Sequence, residues 1–462
     1  MVNAGQRSLL VSRMNRVSST RFLAVAVASL SAAAHAQPAP ALHELLAQPA
    51  QLAAWLRERD PQIDAQRARV DAALAAARQT RVLPNPQLNL GVSDFVLGRT
   101  NAGSGEPGSE NPSLSLGKTL IYTAGIEQLI ELGKRGPRQR AADLRGRAAA
   151  QTATGTLGAR VGDATQTLGK LSYVAARRSV VANNLAAAEQ LMTLEQHRVD
   201  HGDLSPLELA RIELDTKAIA LQLARAEADV AVATSTCSAT LQVACTTDGL
   251  DDPTALDAGA PLPAVLPIAD AAIAGRPARI ASQLEALALG WDAALAHNRR
   301  IPDPTIGVGY TLDNLTISGD QHQSLMFTIG IPLPVFDRGS HDEAAARATA
   351  RAVAAEDRAA VRDAQGQVEA LLAQRAMLQA AVAQLEAETV PKSTQIIAQT
   401  RRAFDLGQAP IADLLLVERA HRDLLLELLD TRFDLFGVRA LLRQQLGLDD
   451  QAAREAGGRS AS

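Results

Sequence analysis

Few side chains in this 462-residue sequence are spaced for chemistry. His197 and His201 stand four apart, with Asp200 and Asp203 beside them. On a helix that spacing puts both imidazoles on one face, where they can hold a divalent metal. The plainer and commoner explanation is a set of exposed residues at a helix tip. Ser115-Leu116-Gly117-Lys118-Thr119 imitates the end of a phosphate-binding loop. Pro112 stands where the upstream glycine is required, and a strand pattern follows instead of a helix, so nucleotide binding is not expected. His421 falls in an apolar helical seam and reads as a packed or partly wet seam residue, not a ligand. The sequence holds two cysteines, Cys237 and Cys245. Export to an oxidising compartment allows a disulfide between them, and two free thiols at a helix end are the alternative. There is no CxxC pair, HExxH motif or GxSxG elbow. No enzyme, cofactor or metal centre is expected.

The formal net charge is −4, which argues against a basic nucleic-acid surface. Residues are 47% hydrophobic but only 3% aromatic. Alanine supplies much of the apolar count and suits long, closely packed helices. Residues 1–36 read as a secretory signal: Arg13, Arg16 and Arg21, an apolar run from Phe22 to Ala34, and the cleavage pattern Ala34-His35-Ala36. Met14 is an alternative start. Gln37, not Cys, follows the cut, so a lipid anchor there is unsupported. No later segment reads as a transmembrane helix, which leaves a β-barrel as the way to sit in a membrane.

Residues 37–59 read as a loosely held N-terminal extension. Residues 60–248 and 268–447 read as two structural repeats joined by a Pro-rich linker, 249–267, and residues 448–462 as a disordered tail. Each repeat has the same order: helix, strand, strand, long helix, turn, helix. In the first, a helix over 61–82 ends at Leu83-Pro84-Asn85-Pro86. Gln87 to Phe95 alternates, with Leu88, Leu90 and Val92 on one face. A polar loop over 97–112 and a second strand over 114–132 follow. A helix from Pro137 to His201 then turns at Gly202 and returns to about Val243. Leu207, Leu214 and Leu221 are seven apart on the returning helix, as are Ile212 and Ile219. In the second repeat, Ile301-Pro302-Asp303-Pro304 precedes alternating segments over 305–311 and 324–333. A long helix from Ser340 to Asp405 turns at Gly407. The last helix carries a coiled-coil seam of Leu424, Leu428, Thr431, Leu435, Val438 and Leu442. Five of the twelve aromatics lie in or beside the strands: Phe95, Tyr122, Tyr310, Phe327 and Phe336. Strands of about 9–11 residues, aliphatic on one face and small or polar on the other, have the length and pattern of membrane-crossing strands. Four such strands cannot close a barrel, so the reading requires an oligomer.

The sequence resembles the TolC-type outer-membrane efflux proteins, from about Asp60 to Gly447. The motifs are LPNPQL (83–88), IELGKRGPR (130–138), HGDLSPLEL (201–209), IPDPTIGVGY (301–310), IPLPVFDRG (331–339) and LGQAPIADLL (406–415). The lysine-arginine form of IELGKRGPR and the IPLPVFDRG segment look most like the cobalt–zinc–cadmium (CzcC-like) heavy-metal resistance branch. The resemblance implies an α+β fold, mainly long helices forming a periplasmic α-helical barrel. Four transmembrane strands per protomer would contribute to a trimeric 12-stranded β-barrel in the outer membrane. It implies a passive exit duct, a homotrimer in outer-membrane lipid, working with an inner-membrane pump of the resistance–nodulation–division (RND) type and a periplasmic adaptor. An exported coiled-coil scaffold or adaptor without a barrel is the alternative from another class. By the same resemblance the turn residues Gly202, Asp203, Leu204 and Ser205, with Gly407, Gln408, Ala409 and Pro410, are adaptor-contact candidates. Glu208 and Asp413, six residues beyond each turn glycine, match the family's first gate acid. The family's second acid is Leu416 here.

Overall fold

The alternating segments form one antiparallel sheet in the order β1 (Gln87–Ser93), β2 (Ile121–Leu129), β3 (Thr305–Asp313), β4 (Gln323–Gly330). The computed structural model describes residues 41–95, 120–202, 204–252, 254–314 and 321–458. The signal region 1–36, the loop 97–112, residues 114–119 of the second expected strand with the Ser115–Thr119 segment, Asp203 and the last residues 459–462 lie outside the described residues.

The remaining elements are helical. α1 (Leu42–Ala47), α2 (Pro49–Arg59) and α3 (Pro61–Gln79) precede the sheet. α4 (Arg135–Asp200) and α5 (Pro206–Leu241) complete the first repeat, and α6 (Thr254–Ala258), α7 (Ala269–Ala274) and α8 (Pro277–His297) lead into β3. After β4 come α9 (Ser340–Gln384), α10 (Val390–Asp405), α11 (Ile411–Gln445) and α12 (Leu448–Gly458). The 66 residues of α4 span about 100 Å at 1.5 Å each. No described helix is long and apolar enough to cross a membrane.

α4 packs along α5, α8, α3 and α11, and α9 along α8 and α11. Glycine and alanine on α4 permit the close approach. Phe436 of α11 sits over Gly169, where an added Cβ would lie 2.0 Å from the ring. The main apolar cluster surrounds this contact, with Leu168, Leu171, Leu52, Leu56 and Leu256 buried in it. The Trp55 indole N–H donates to the Leu241 carbonyl at 2.9 Å. Cys237 and Cys245 are joined by a disulfide beside Leu241, their Cα atoms 6.0 Å apart.

Four sequence expectations are corrected. The loosely held extension is two helices in the part of 37–59 that is described: Leu42, Leu45, Leu46, Leu52 and Leu56 recur at helical spacing and are buried. The disordered tail over 448–462 is a helix as far as Gly458. Gly447 at φ +65° stops α11, and α12 then buries Ala452, Ala453 and Ala456 against the main cluster. The second strand spans Ile121–Leu129, shorter than 114–132 among the described residues, because the chain bends out of the sheet toward Gly133 at φ +74°. The helix from Ser340 to Asp405 is not uniformly α: Leu385–Thr389 is a π turn. Pro391 follows it, with no N–H to donate and a ring that crowds the preceding turn. The Pro-rich linker also contributes to the core, through Leu250 and Leu256.

Candidate functional site

Register decides what the sheet presents on each side. Leu88, Ile126, Val308 and Phe327 stand in one row across it, and Leu90, Ala124, Tyr310 and Leu325 in another. These rows share a face and are solvent-exposed: Leu90 is 73% and Phe327 74% accessible. The opposite face carries Asn89, Gly125, Gly309 and Met326 in one row, and Gly91, Thr123, Thr311 and Ser324 in the next. One face thus suits hydrocarbon and the other water. β1 and β4 are both unpaired edges.

The sheet meets the helices at a joint built from both repeats. The Asp303 carboxylate, from Ile301-Pro302-Asp303-Pro304, accepts from the Leu132 N–H at 2.9 Å and from Lys134 Nζ at 2.7 Å. Asn298 Nδ2 donates to the Gly133 carbonyl at 2.6 Å. Arg138 forms a bidentate pair with Glu131. In the second repeat Gly339 takes φ +70°, and a Cβ there would strike the Ala296 carbonyl oxygen. Glu343, in the first turn of α9, is approached by His297 and Arg300, which flank the end of α8, and by Arg347.

The far ends of the long helices carry the two turns. Gly407 at φ +69° closes α10, with its N–H on the Phe404 carbonyl (2.9 Å) and the Gln408 N–H on the Ala403 carbonyl (2.8 Å). This satisfies carbonyls that a helix end leaves open. Gly202, at φ +84°, donates to the Val199 carbonyl at 2.9 Å. One cluster joins the turns: Leu191 of α4, Ile212 of α5, Phe404 of α10, and Ile411, Leu414 and Leu415 of α11. Both turns therefore lie at one end of the protomer. Gly202, Ser205, Gly407, Gln408 and Pro410 are exposed there; Leu204 and Ala409 are half-buried.

The gate candidates differ. Asp413 is exposed in the first turn of α11. Glu208 is half-buried and belongs to a capping box with Ser205: the Ser205 N–H donates to Glu208 Oε2 at 3.3 Å, and Ser205 Oγ accepts from the Leu207 N–H. His197 and His201 are exposed. The His201 ring nitrogen Nδ1 lies 2.7 Å from the His197 carbonyl, so that ring serves the end of α4. No group of three or more metal-ligating side chains exists among the described residues. His421 is half-buried, 2.7 Å from Ser393 Oγ, and burial lowers its pKa.

Two charged arrangements escaped the sequence reading. Glu195 is fully buried beside Arg198, at 3.0 Å. Burial pushes its pKa up, Arg198 opposes this, and Asp405 and Glu208 add to the upward push. The Arg198 guanidinium also sits 5.0 Å over the Phe404 ring. On α5, buried Asp215 accepts from Arg419 of α11 at 2.7 Å, with Arg422 at 3.9 Å. The i,i+3 spacing of Glu195 and Arg198 was a visible signal; the α5–α11 pairing had none.

Two stripes run along α5. Ile212 and Ile219 are buried, whereas Leu207, Leu214 and Leu221, on the same heptad spacing, are exposed. On α11, Thr431, Leu435, Val438 and Leu442 of the seam are buried, and Leu424 and Leu428 only half-buried.

The family model described as outer membrane efflux protein matches residues 52–239 and 268–448. Among solved structures, CusC channel structures superpose with a TM-score of 0.69 at 16% identity, covering 86% of this chain and 92% of that one. The outer-membrane channel OprN gives 0.68 at 16%, covering 87% and 91%. The outer membrane protein VceC from Vibrio cholerae gives 0.67 at 17%, covering 86% and 96%. At such identities the likeness speaks to the fold. No curated protein shows significant sequence similarity.

Proposed function

Because this chain belongs to the outer membrane efflux protein family, we propose that three copies close into the exit duct of a tripartite efflux system. The protein is an outer-membrane efflux channel, not an enzyme, and its helical tunnel lies in the periplasm. The observation that carries the trimeric duct is the sheet: four strands with one exposed apolar face and two unpaired edges. Hydrocarbon does not tolerate such edges, so copies must pair β4 to β1 until a ring closes. Three copies give twelve strands. The exposed Leu207, Leu214 and Leu221 stripe supports this, as a second apolar face awaiting a neighbouring helix.

The partners in this reading are outer-membrane lipid around the barrel, a periplasmic adaptor at the helical turns and an RND pump in the inner membrane. Gly202, Asp203, Leu204, Ser205, Gly407, Gln408, Ala409 and Pro410 are the adaptor-contact residues in this reading. Glu208 and Asp413 set the entrance, Asp413 as the freer carboxylate. Heavy-metal cations are the proposed cargo, on the form of the IELGKRGPR and IPLPVFDRG segments; organic compounds through the same duct are the second reading. A coiled-coil scaffold is disfavoured by the apolar sheet face. Membrane fractionation with a heat-modifiability gel tests the duct: a detergent-extracted, heat-dissociable trimer is expected, and a monomer released without detergent refutes it. Deletion of the gene tests the cargo: lost tolerance to zinc, cobalt or cadmium is expected, and unchanged metal tolerance refutes it.

A further inference from the structure

The water-facing side of the sheet has a marked charge pattern. Across the four strands there are two carboxylates, Glu127 and Asp313, and no Lys or Arg. Both fall on the face opposite the aliphatic rows. Asp313 ends β3, opposite Ile121, at the sheet end away from the helices. Glu127 lies two residues before the end of β2, close to the Asp303 joint, in a row with Gln87, Gly307 and Thr328. Gly307 is its seat: a Cβ added there would lie 2.9 Å from Glu127 Cγ and 2.4 Å from Thr328 Oγ1. The missing side chain lets the Glu127 methylenes lie over the neighbouring strand.

We propose that Glu127, repeated threefold, is a cation-selecting ring in the barrel lumen, separate from the gate acids at the helical turns. This rests on the trimeric duct. Twelve strands at the usual spacing and tilt close a barrel of roughly 12 Å backbone radius. Lying over the neighbouring strand, the side chain holds each carboxylate roughly 8 Å from the axis, about one Debye length at physiological salt. A cation on the axis therefore feels all three charges, while an anion is repelled by all three. No basic side chain among the described strand residues offsets them. Charged rings set selectivity in this way in pores generally, and lumen substitutions tune it.

The test is the reversal potential of purified trimers in planar bilayers under a potassium chloride gradient. Wild type is expected to prefer potassium. Glu127→Gln is expected to lower the cation-to-anion permeability ratio roughly threefold or more. The same fall is expected in the Glu208→Gln/Asp413→Asn background, where the gate acids are neutral. A wild-type channel without cation preference, an unchanged ratio in Glu127→Gln, or an effect that vanishes in that background overturns the ring. A wild-type preparation that forms no channel overturns the duct itself. Glu127→Cys gives a second route, since the described residues contain no free cysteine. An anionic thiol reagent should restore cation preference and a cationic one abolish it; identical effects of the two reagents overturn the proposal.

Discussion

Replacing Asp303 tests whether the sheet and the helices are held by a specific joint. The carboxylate accepts from the Leu132 N–H at 2.9 Å and from Lys134 Nζ at 2.7 Å. The Lys134 and Asp303 side chains are 16% and 17% exposed, so water screens the pair only in part. A hydrogen bond to a charged group contributes about 1.5–3 kcal/mol, and the partial exposure argues for the lower end. Asp303→Ala loses both bonds and leaves the Lys134 charge without its partner, so it should cost about 3 kcal/mol. Asp303→Asn keeps an acceptor for the Leu132 N–H and loses only the charge, so about half that cost is expected. Lys134→Met should cost a similar half. The Asp303→Asn/Lys134→Met double variant should cost less than the sum, by about 1 kcal/mol, because each single change already breaks the same pair. The assay is the thermal loss of the proposed detergent-resistant trimer at a fixed heating rate, since such a midpoint depends on the rate. The expected order is wild type above Asp303→Asn and Lys134→Met, with Asp303→Ala lowest. An Asp303→Ala trimer that dissociates with wild type refutes the reasoning. So does an Asp303→Asn variant as damaged as the alanine variant, which would leave no role for the backbone acceptor.

Asp450, in the first turn of α12, has its pKa pushed up from 3.8 to about 6 by burial, against the opposing pull of Arg276 and Arg454. The unfolded chain therefore loses this proton first as pH rises, and stability falls between about pH 4 and about 6. Asp450→Asn should be about 1–2 kcal/mol more stable than wild type at pH 7.5 and no different at pH 4, in paired thermal melts. Reduction of the disulfide between Cys237 and Cys245, eight residues apart, should cost about 2–3 kcal/mol from loop entropy. A melt in reductant that matches the oxidised protein would contradict this. Asp413→Ala should change ion selectivity or divalent block in single-channel recordings, whereas a channel identical to wild type removes Asp413 from the entrance.

The strands were the most legible part. In β1, β3 and β4 aliphatic residues alternate with Gly, Thr, Ser or Asn, and few other structures produce that pattern. The returning helices α5 and α11 were legible from heptad spacing and the longer ones from their alanine-rich pattern, yet Pro391 inside one of the longer ones was an overlooked warning of the π turn. α12 was missed because beyond Leu448 its apolar face is alanine alone, between Asp449, Asp450 and Glu455. Asp303 stood in a motif, but its Lys134 partner is 169 residues away, and only the pairing of the repeats brings them together. At the turns, Glu208 and Asp413 have equal standing by their spacing from the turn glycines. The capping box separates them, because a side chain that holds its own helix N-terminus is less free to face a pore.

The unpaired edges of β1 and β4 also bear on inheritance. In the proposed three-copy ring, a subunit spoiled at one edge is still sound at the other, so it can join a growing ring and then fail to complete it. In a cell making equal amounts of normal and edge-damaged subunits, only about one ring in eight would be wholly normal if three copies mix at random. Edge lesions should thus act dominantly over a good copy of the gene. Lesions that stop the chain folding before it meets its partners should be recessive.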